Sequence, residues 1–576
     1  MTSSTPRPSV FPNRQQVTAA LECAAERARV IAEQTGTKLI VVAPSNKTGS
    51  IEKPLTAETE KPKAHKAKAV MVLGTTSGAG KSWLATALCR WYARQGLKVA
   101  PYKAQNMSNN ARVVTGPNGA MGEIGSAQYF QALAARATPE VRMNPVLLKP
   151  EHDTASQVVL LGDVRADLAQ VPWRERSEVL WPFAHDALQA LMRENDLVVI
   201  EGAGSPSEIN LHASDFVNMR TARAANAACL LVTDIDRGGA FAHLYGTHQL
   251  LPVDERALIR GFVLNRFRGD VALLAPGPQQ LAQLTGVPTL AVLPMWRGHG
   301  LPEEDGVFDE RAGDNSRDDS GTDSGAESGR AAGVRIAIVA FPRISNFDEF
   351  QPLRDMPGVR LNWARTPSAL IDADWIILPG SKHTSGDLAW LRAQGLDAAI
   401  ARHAAAGRRV LGLCGGLQML GRGLDDPDGV DGNAKGLGLL PLRTRFERVK
   451  LLRRTAAHFA DTAGQWAALA GVACEGYEIR HGRTWVDRDA DGNGNDVCDT
   501  VVALRNEMGE PIGWQRGNVL GLYLHGLFES PAVLHALFGH TPRSLDSVFD
   551  GLADFVDRHF APGVLQRLAT PDSPRL

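Results

Sequence analysis

Residues 69–82 read Ala-Val-Met-Val-Leu-Gly-Thr-Thr-Ser-Gly-Ala-Gly-Lys-Ser, and this stretch decides the fold. Its first five residues are an apolar run that predicts a buried strand, and a helical apolar pattern follows Ser82. A glycine-rich turn between a strand and a helix is typical of a phosphate-binding loop, because backbone N–H groups and the helix N-terminus attract anions. Five residues separate Gly74 from Gly80, one more than in the usual motif.

The loop predicts a site for ATP and Mg²⁺. Lys81 can reach the β- and γ-phosphates, and the Ser82 hydroxyl can hold Mg²⁺. Glu201 follows the apolar run 197–200 and is the candidate for a second Mg²⁺ contact. Asn265 follows the run 262–264 and is a weaker candidate for recognising the adenine base. The predicted nucleotide-binding residues are Gly78, Gly80, Lys81, Ser82 and Asn265.

Short apolar runs alternate with helical patterns after this loop. The alternation predicts a parallel sheet with helices on both faces, in a domain spanning residues 67–305. Ligands of such sheets bind beyond the carboxyl ends of the strands. Asp234, Asp236 and Arg237 follow the apolar run 230–233, so they are candidate substrate-binding residues.

Residues 309–330 interrupt this alternation with seven acidic and only two apolar side chains. Such a segment cannot bury enough surface to offset its ordering entropy, so we interpret residues 306–332 as a disordered acidic linker. A second α/β pattern resumes after it, which predicts a domain at 333–576. Residues 1–66 contain one helical pattern and a polar, lysine-rich stretch, and are interpreted as an N-terminal extension.

The composition excludes several classes of protein. The formal net charge is -1, from 62 Lys+Arg against 63 Asp+Glu, which argues against a chain dominated by nucleic-acid binding. No stretch reaches 18 apolar residues, so no membrane-spanning helix is expected, and the first 14 residues lack the apolar core of a secretory signal. Six cysteines without a CxxC pair predict reduced thiols, and a cytoplasmic location is expected.

Cys414 lies in Gly412-Leu413-Cys414-Gly415-Gly416, between an apolar run and a helical pattern. The arrangement follows the logic of a nucleophile elbow, with sulfur in place of oxygen. Small flanking residues permit a sharp turn, and a helix N-terminus favours the reactive thiolate. Cys414 is therefore a candidate nucleophile rather than a structural thiol.

A nucleophilic cysteine needs a base, and His525 ends another apolar run. A third member would be a carboxylate that orients the base, which Leu527 cannot supply, and Glu529 would lie about 13 Å from His525 along an extended chain. We therefore expect a Cys–His dyad with Glu529 peripheral. The turn at residues 378–382 is a candidate oxyanion hole. The residues predicted to bind the oxyanion or glutamine are Gly380, Ser381 and Gly415.

The contexts of Cys414 and His525 resemble a class I glutamine amidotransferase, and the phosphate-binding loop upstream narrows the resemblance to the cobyrinate-type amidotransferases. Six phrases closely resemble the cobyric acid synthase family: 103–110 (KAQNMSNN), 143–150 (MNPVLLKP), 201–210 (EGAGSPSEIN), 234–239 (DIDRGG), 476–484 (GYEIRHGRT) and 523–526 (YLHG). The resemblance spans about residues 68–560. These phrases supply three further candidate substrate residues, Asn144, Lys149 and Asn210.

The resemblance implies a P-loop NTPase-like parallel-sheet domain followed by a class I glutamine amidotransferase-like α/β domain. It also implies a ligase of cobalamin biosynthesis that amidates four carboxylates of adenosylcobyrinic acid a,c-diamide to give adenosylcobyric acid, using one glutamine and one ATP for each. Cys414 would release ammonia from glutamine, and the ammonia would attack an acyl phosphate. Glutamine and a corrinoid are thus the expected partners, without nucleic acid or membrane, while the oligomeric state stays open.

Two alternatives stay open from the sequence. The chain could be a cobyrinic acid a,c-diamide synthase or another P-loop amidotransferase with different free carboxylates on its substrate. It could also be a MinD-like nucleotide switch that carries a dead amidotransferase domain, although retention of both Cys414 and His525 counts against this.

Overall fold

The computed structural model of the chain describes residues 68–116, 119–152, 155–302, 333–488 and 499–570. The predicted N-terminal extension (1–66) and acidic linker (306–332) lie outside these residues.

The first domain alternates strands and helices along the chain. Its described strands are β1 (Lys68–Gly74), β2 (Val99–Tyr102), β3 (Gln105–Met107), β4 (Ala111–Thr115), β5 (Met121–Gly125), β6 (Val146–His152), β7 (Ala155–Leu160), β8 (Asp163–Val164), β9 (Leu197–Glu201), β10 (Ala228–Asp234), β11 (Ile259–Phe267) and β12 (Thr289–Pro294). Its described α-helices are α1 (Lys81–Arg94), α2 (Ser126–Ala134), α3 (Ala166–Ala169), α4 (Trp173–Glu194), α5 (Thr221–Ala225), α6 (Ala240–Leu250), α7 (Val253–Arg256) and α8 (Gly277–Thr285).

A six-stranded parallel sheet forms the centre of this domain, in the order β12-β11-β10-β1-β9-β2. Every residue of β2 and β9 is buried, as expected for strands covered on both faces. The predicted parallel sheet is therefore confirmed. Since all its strands run the same way, the ends of β1, β9, β10 and β11 meet at one edge, where the glycine-rich loop begins.

Two smaller sheets extend the first domain toward the second. One has the order β3-β6-β7-β8, and the other is the antiparallel pair β4–β5. Residues of both sheets contact the second domain, since Glu151 of β6 pairs with Lys382 and Glu123 of β5 pairs with Lys450, so these outgrowths bear on the candidate sites described below.

The second domain is built on one large mixed sheet. Its described strands are β13 (Val334–Val339), β14 (Ile344–Ser345), β15 (Val359–Ala364), β16 (Trp375–Leu378), β17 (Gly380–Ser381), β18 (Arg409–Leu413), β19 (Gly423–Asp425), β20 (Ala434–Lys435), β21 (Leu442–Phe459), β22 (Ala473–Val486), β23 (Thr500–Asn506), β24 (Pro511–Arg516) and β25 (Val519–Leu522). The described α-helices that follow β13 are α9 (Gln351–Arg354), α10 (Thr384–Ala393), α11 (Leu396–Ala405), α12 (Gly415–Leu420), α13 (Pro531–Phe538), α14 (Leu545–His559) and α15 (Val564–Leu568).

The large sheet has a parallel half and an antiparallel half. The parallel half has the order β15-β13-β16-β18-β25, and β24, β23, β21 and β22 continue it with antiparallel pairing. Adjacent ends of β18 and β25 place the turn after β18 beside the segment after β25. Cys414 and His525 lie in these two segments.

The end of the described chain returns to the first domain. In α14, Phe555 stacks on Trp296 with ring centroids 4.8 Å apart, and Asp557 accepts a hydrogen bond from the indole of Trp91 at 2.8 Å. The hydroxyl of Tyr92 donates to the carbonyl of Leu565 in α15, also at 2.8 Å. The sequence assigned residues 333–576 to the second domain, and we propose that α14 and α15 be counted with the first.

Candidate active sites

The glycine-rich loop follows β1 and leads into α1, and its glycines adopt conformations that side chains would oppose. Gly78 and Gly80 have φ of 70° and 96°, in the left-handed region. A Cβ atom at Gly80 would lie 2.1 Å from the side-chain nitrogen of Asn265. The loop therefore needs glycine here to keep its backbone close to α1 and β11.

Lys81 and Ser82 begin α1 and point to the edge of the central sheet. The Lys81 ammonium donates hydrogen bonds to the carbonyls of Thr76 at 3.0 Å and Gly204 at 3.2 Å, which holds it over the loop. The Ser82 hydroxyl donates to Glu201 Oε1 at 2.8 Å. The structure thus brings together three of the predicted ATP and Mg²⁺ residues.

Glu201 is a buried carboxylate at the end of β9, with several donors around it. Lys103 Nζ lies 2.8 Å from its Oε1, and the Gln131 amide donates to its Oε2 at 2.5 Å. Burial alone would raise the pKa of Glu201, but Lys103, Gln131 and Ser82 lower it below its ordinary value. The ionised carboxylate and the Ser82 hydroxyl form an oxygen pair of the kind that suits Mg²⁺. Sequence reasoning did not single out Lys103 or Gln131 for this site.

Asn265 supports the loop. Its side-chain nitrogen donates to the carbonyl of Ala79 at 2.9 Å, and its side-chain oxygen accepts from the N–H of Arg266 at 2.9 Å. These contacts fix the loop against β11, and a role of Asn265 in reading adenine stays a prediction.

The acidic residues after β10 are ion-paired. Asp234 is buried and contacts Arg266 at 3.0 Å and Arg237 at 3.3 Å, and Asp236 pairs with Arg268. All lie at the same sheet edge as the loop, so a substrate role for Asp234, Asp236 and Arg237 stays a prediction.

Asn144 lies inside the first domain, and its substrate role stays a prediction. This residue is buried, and its amide makes hydrogen bonds to backbone groups of Lys103, Gly125 and Val146. It therefore joins backbone segments of the first domain. Asn210, by contrast, is exposed in the segment after β9, where it could contact a substrate.

Cys414 occupies a strained turn between β18 and α12. Its backbone has φ 49° and ψ −105°, far from the conformations that non-glycine residues prefer. The neighbouring Gly416 cannot be larger, because a Cβ atom there would lie 1.9 Å from the carbonyl oxygen of Leu378. The Cys414 Sγ lies 3.4 Å from the carbonyl oxygen of Ile479. This is the elbow geometry that the sequence pattern predicted.

His525 lies against Cys414 and is held by a carboxylate that the sequence did not reveal. Its Nδ1 is 3.1 Å from Glu349 Oε1, and the backbone N–H of Gly526 donates to Glu349 Oε2 at 2.9 Å. The ring of Tyr477 stacks on the imidazole with centroids 5.4 Å apart. Tyr477 thus covers one ring face of His525 and Glu349 holds one ring nitrogen, while Cys414 lies close enough to raise the pKa of the imidazole.

The environment favours the protonated form of His525. Burial lowers its pKa, but the Glu349 carboxylate and Cys414 outweigh this and raise it to about 10. Glu349 is itself fully buried, at the end of a 3₁₀ turn spanning Phe347–Phe350.

The expectation of a dyad without a third carboxylate is wrong for this geometry. Glu349 occupies the position of the acid in a catalytic triad, where a carboxylate orients the imidazole. Glu529 is directed elsewhere, 2.6 Å from a guanidinium nitrogen of Arg112, and is peripheral to His525 as expected. No signal near His525 could have revealed Glu349, which lies 176 residues earlier in the chain.

Gly380, Ser381 and Gly415 meet next to Cys414. A Cβ atom at Gly415 would lie 2.8 Å from the backbone nitrogen of Ser381, and one at Gly380 would lie 3.0 Å from His525 Cε1. The Ser381 hydroxyl donates to Asp387 at 2.6 Å. The three residues are brought together as predicted, and their role in an oxyanion hole stays a prediction.

A cavity of about 330 Å³ opens over Cys414 and is lined by residues of both domains. The second domain contributes Lys382, Lys450, Arg480, His481 and Asp431, and the first contributes Lys149, Glu151 and Gln157. Lys149 is buried and pairs with the buried Glu123, which also pairs with Lys450 at 2.5 Å. Burial lowers the pKa of Lys149 to about 7 despite Glu123. Lys149 therefore lies in the cavity that holds Cys414, rather than at the glycine-rich loop.

Two family profiles match the chain, one for each domain. The CobQ/CobB/MinD/ParA nucleotide binding domain matches residues 70–297, and the CobB/CobQ-like glutamine amidotransferase domain matches residues 335–533. The predicted order of a P-loop domain followed by an amidotransferase domain is confirmed.

Full-length relatives agree with the profiles. A cobyric acid synthase of Methylibium petroleiphilum is 72% identical over 513 residues, covering 88% of this chain and 98% of that protein. A cobyric acid synthase of Leptothrix cholodnii is 69% identical, with 88% and 98% covered, and one of Variovorax paradoxus is 66% identical, with 87% and 99% covered. The chain belongs to the cobyric acid synthase family. Cobyric acid synthases are glutamine-hydrolysing ligases of cobalamin biosynthesis, so the predicted enzyme class is confirmed.

The similarity of this chain to solved structures is low. A glutamine amidotransferase covers 38% of it at 15% identity with a TM-score of 0.26, over 98% of that structure. The signal recognition particle 54 kDa protein of Aeropyrum pernix covers 40% of it at 18% identity with a TM-score of 0.22, over 42% of that structure. These scores support no further argument. Among the residues that the structure describes, no helix is long and apolar enough to cross a membrane.

Proposed function

We propose that this chain amidates four propionate- and acetate-type carboxylates of adenosylcobyrinic acid a,c-diamide to give adenosylcobyric acid, with one glutamine and one ATP for each amide. Family membership supports the reaction class. The single observation that carries the proposal is the presence in one chain of two sites, Lys81–Ser82–Glu201 and Cys414–His525–Glu349. The first suits activation of a carboxylate and the second suits release of ammonia.

The second site suits hydrolysis of glutamine by covalent catalysis. The Cys414 sulfur attacks the side-chain amide, a C–N bond breaks, and His525 gives its proton to the departing ammonia. Water then hydrolyses the glutamyl thioester and regenerates the thiol. Glu349 accepts a hydrogen bond from the Nδ1–H group of His525. This contact leaves the other ring nitrogen available to Cys414, and the negative charge of Glu349 stabilises the imidazolium.

The cavity over Cys414 offers charges that match a free amino acid. Lys382 and Lys450 suit the α-carboxylate of glutamine, and Glu151 and Asp431 suit its ammonium group. Because Glu151 belongs to the first domain, both domains contribute to this site.

The first site suits transfer of the γ-phosphoryl group of ATP to a corrinoid carboxylate. Lys81 and the loop N–H groups would bind the phosphates, and Ser82 and Glu201 would hold Mg²⁺, which supplies charge neutralisation between the phosphates. Ammonia then attacks the acyl phosphate, the carbonyl carbon gains nitrogen, and inorganic phosphate leaves. Phosphoryl transfer requires positioning more than covalent help, which agrees with a site made of one lysine, one hydroxyl and one carboxylate.

The test is synthesis with defined components. The purified chain is incubated with ATP, Mg²⁺, glutamine and either adenosylcobyrinic acid a,c-diamide or the acid without amides, and mass spectrometry counts the new amides. We expect four amides on the a,c-diamide. Amidation of only the a and c positions of the unamidated acid would contradict the proposal and favour a cobyrinic acid a,c-diamide synthase.

Comparing synthesis from glutamine with synthesis from ammonium distinguishes the activities of the two sites. Cys414→Ala should abolish synthesis from glutamine but spare synthesis from high ammonium, because ammonia production and its use occur at different sites. Equal loss with both nitrogen sources would show that Cys414 does not act through glutamine hydrolysis alone.

A further inference from the structure

The start of β4 in the first domain is docked on the turn that carries Glu349 in the second. The backbone N–H of Ala111 donates to the Asn346 side chain at 2.9 Å, and the N–H of Phe347 donates to the Asn110 side chain at 3.1 Å. Asn346 has φ 54°, in the left-handed region, and its side chain is fixed by this contact. The turn that aims Glu349 at His525 is therefore held from outside its own domain.

Arg112, the next residue of β4, carries a buried charge into this contact. Its side chain is 2% exposed, and its guanidinium pairs with Asp348 and, at 2.6 Å, with Glu529. The rings of Phe130 and Tyr477 lie 4.9 Å and 5.2 Å from the guanidinium carbon. Tyr477 is the same ring that stacks on His525, so Arg112 is separated from the imidazole by one aromatic side chain.

Three carboxylates surround the segment that carries His525. Asp348 and Glu349 are neighbours in the turn Phe347–Phe350, and Glu529 lies in the turn Leu527–Glu529 that follows Gly526. Buried like charges disfavour one another's ionised form, and here burial with Asp348 and Glu349 raises the pKa of Glu529 despite Arg112. Arg112 is the cation that pairs with both Asp348 and Glu529, and without it these two carboxylates would lose their shared counter-charge.

We propose that Arg112 is a positioning residue for glutamine hydrolysis, supplied to the glutaminase site by the nucleotide-binding domain. It acts through Asp348 and Glu529: by pairing with both carboxylates it holds the turn that carries Glu349 in place, so that Nδ1 of His525 keeps its partner. Arg112 does not touch the reacting atoms. The inference rests on the proposed glutaminase activity.

The test compares Arg112→Met with a matched control, Arg90→Met, in the full chain. Arg90 is also buried, pairs with two aspartates and lies over the ring of Phe549, but it joins α1 to α14 rather than reaching His525. We expect both variants to lower Tm. Only Arg112→Met should lower the kcat of glutamine hydrolysis, by about tenfold or more, with KM within about twofold of wild type.

The pH profile distinguishes positioning from a merely structural role. Loss of Arg112 removes the cation that lowers the pKa of Glu529, so the acidic limb of the kcat profile should move to higher pH. Arg112→Lys, which keeps the charge, should recover most of the rate, and Asp348→Asn added to Arg112→Met should recover part of it. Synthesis from ammonium should fall no more in Arg112→Met than in Arg90→Met.

Several outcomes would overturn the inference. These are equal kcat in the Arg112→Met and Arg90→Met variants, an unmoved pH profile, or no recovery in Arg112→Lys. If Arg112→Met does not fold, Arg112→Gln is judged by the same pH profile. A wild-type chain that does not hydrolyse glutamine would overturn the proposed function itself, and with it this inference.

Discussion

Cys414 and Glu349 are single residues whose conformations are fixed by their neighbours. Cys414 has a strained backbone, and Glu349 is fully buried. A non-glycine residue in a sparsely populated backbone region costs on the order of 1–3 kcal/mol, and it persists only when neighbours fix it. Here Gly416 is packed against the carbonyl of Leu378, so the turn cannot relax without separating α12 from β16. The strain serves to present the sulfur to His525 at the head of a helix.

At the residue scale, Glu349→Gln should lower the kcat of glutamine hydrolysis by on the order of 10² or more, because the amide can no longer stabilise the imidazolium. Glu529→Gln is the matched control and should lower kcat by less than about tenfold, since Glu529 contacts Arg112 rather than His525. Steady-state glutaminase assays measure both. Similar losses in the two variants would contradict the assignment of Glu349.

The stability of the chain should depend on pH through His525. Its pKa is raised from 6.5 to about 10, so its protonated form stabilises the folded state, fully below about pH 6.5 and progressively less as pH rises through about 10. Glu349→Gln removes the largest cause that raises this pKa. The Tm difference between wild type and Glu349→Gln should be largest at about pH 6.5 and shrink toward pH 10. Calorimetry across this range measures it, and a pH-independent difference would speak against the pairing.

Cys414 and His525 could be predicted because each lies in a local sequence pattern. Cys414 lies in a turn of small residues, and His525 ends an apolar run. Glu349 could not be predicted, since its partner is distant in sequence and the turn around it, Asn346–Phe350, reads like any acidic surface turn. Its surroundings come from distant parts of the chain, since His525 and Gly526 contact its carboxylate and β4 of the other domain contacts its turn. The contacts of Asn144 could not be predicted either, because a buried asparagine that joins backbone segments looks the same in sequence as one that binds a substrate.

At the scale of elements, the strand β1, the glycine-rich loop and helix α1 act as a unit. Lys81→Ala should remove ATP-dependent amidation with either glutamine or ammonium, because the acyl phosphate must form before ammonia attacks. Lys98→Ala, at an exposed position just before β2, is the control and should keep wild-type activity. Mass spectrometry of the corrinoid product is the measurement, and amidation at the wild-type rate in Lys81→Ala would show that the loop is not catalytic.

The elements differed in how well the sequence predicted them. The strands of the first sheet are continuous apolar runs, because helices cover both of their faces, and each predicted run lies in an observed strand. The strands β21 and β22 were not predicted, since β21 alternates buried and exposed residues and carries many arginines. The strand β21 forms because it pairs with β22 along most of its length, and it has no continuous hydrophobic run.

At the scale of the molecule, α14 ties the end of the described chain to the helix that follows the glycine-rich loop. Phe555 contacts Trp296 and, at 5.5 Å between centroids, Trp83, the residue after Ser82. Phe555→Ala should lower the free energy of unfolding by about 3–5 kcal/mol, as for other buried aromatic truncations. It should also weaken synthesis from ammonium, because Trp83 and Ser82 share a helical turn.

The control for this prediction is Arg558→Ala, an exposed position on the same helix, which should change the free energy of unfolding by less than about 0.5 kcal/mol. Denaturant unfolding measures both variants. Equal free energies of unfolding for Phe555→Ala and Arg558→Ala would show that the packing of α14 does not stabilise the first domain.

The return of α14 and α15 has a consequence for the order in which the protein is made. Val548, Phe549 and Leu552 complete the same apolar cluster as Leu84 and Leu88, yet they are translated after the whole second domain. At about 5–20 residues per second, the ribosome leaves that face of α1 without its cover for on the order of tens of seconds. The domain that emerges first is thus the last to be finished, and until α14 is made this apolar face of α1 stays open to association with other nascent proteins.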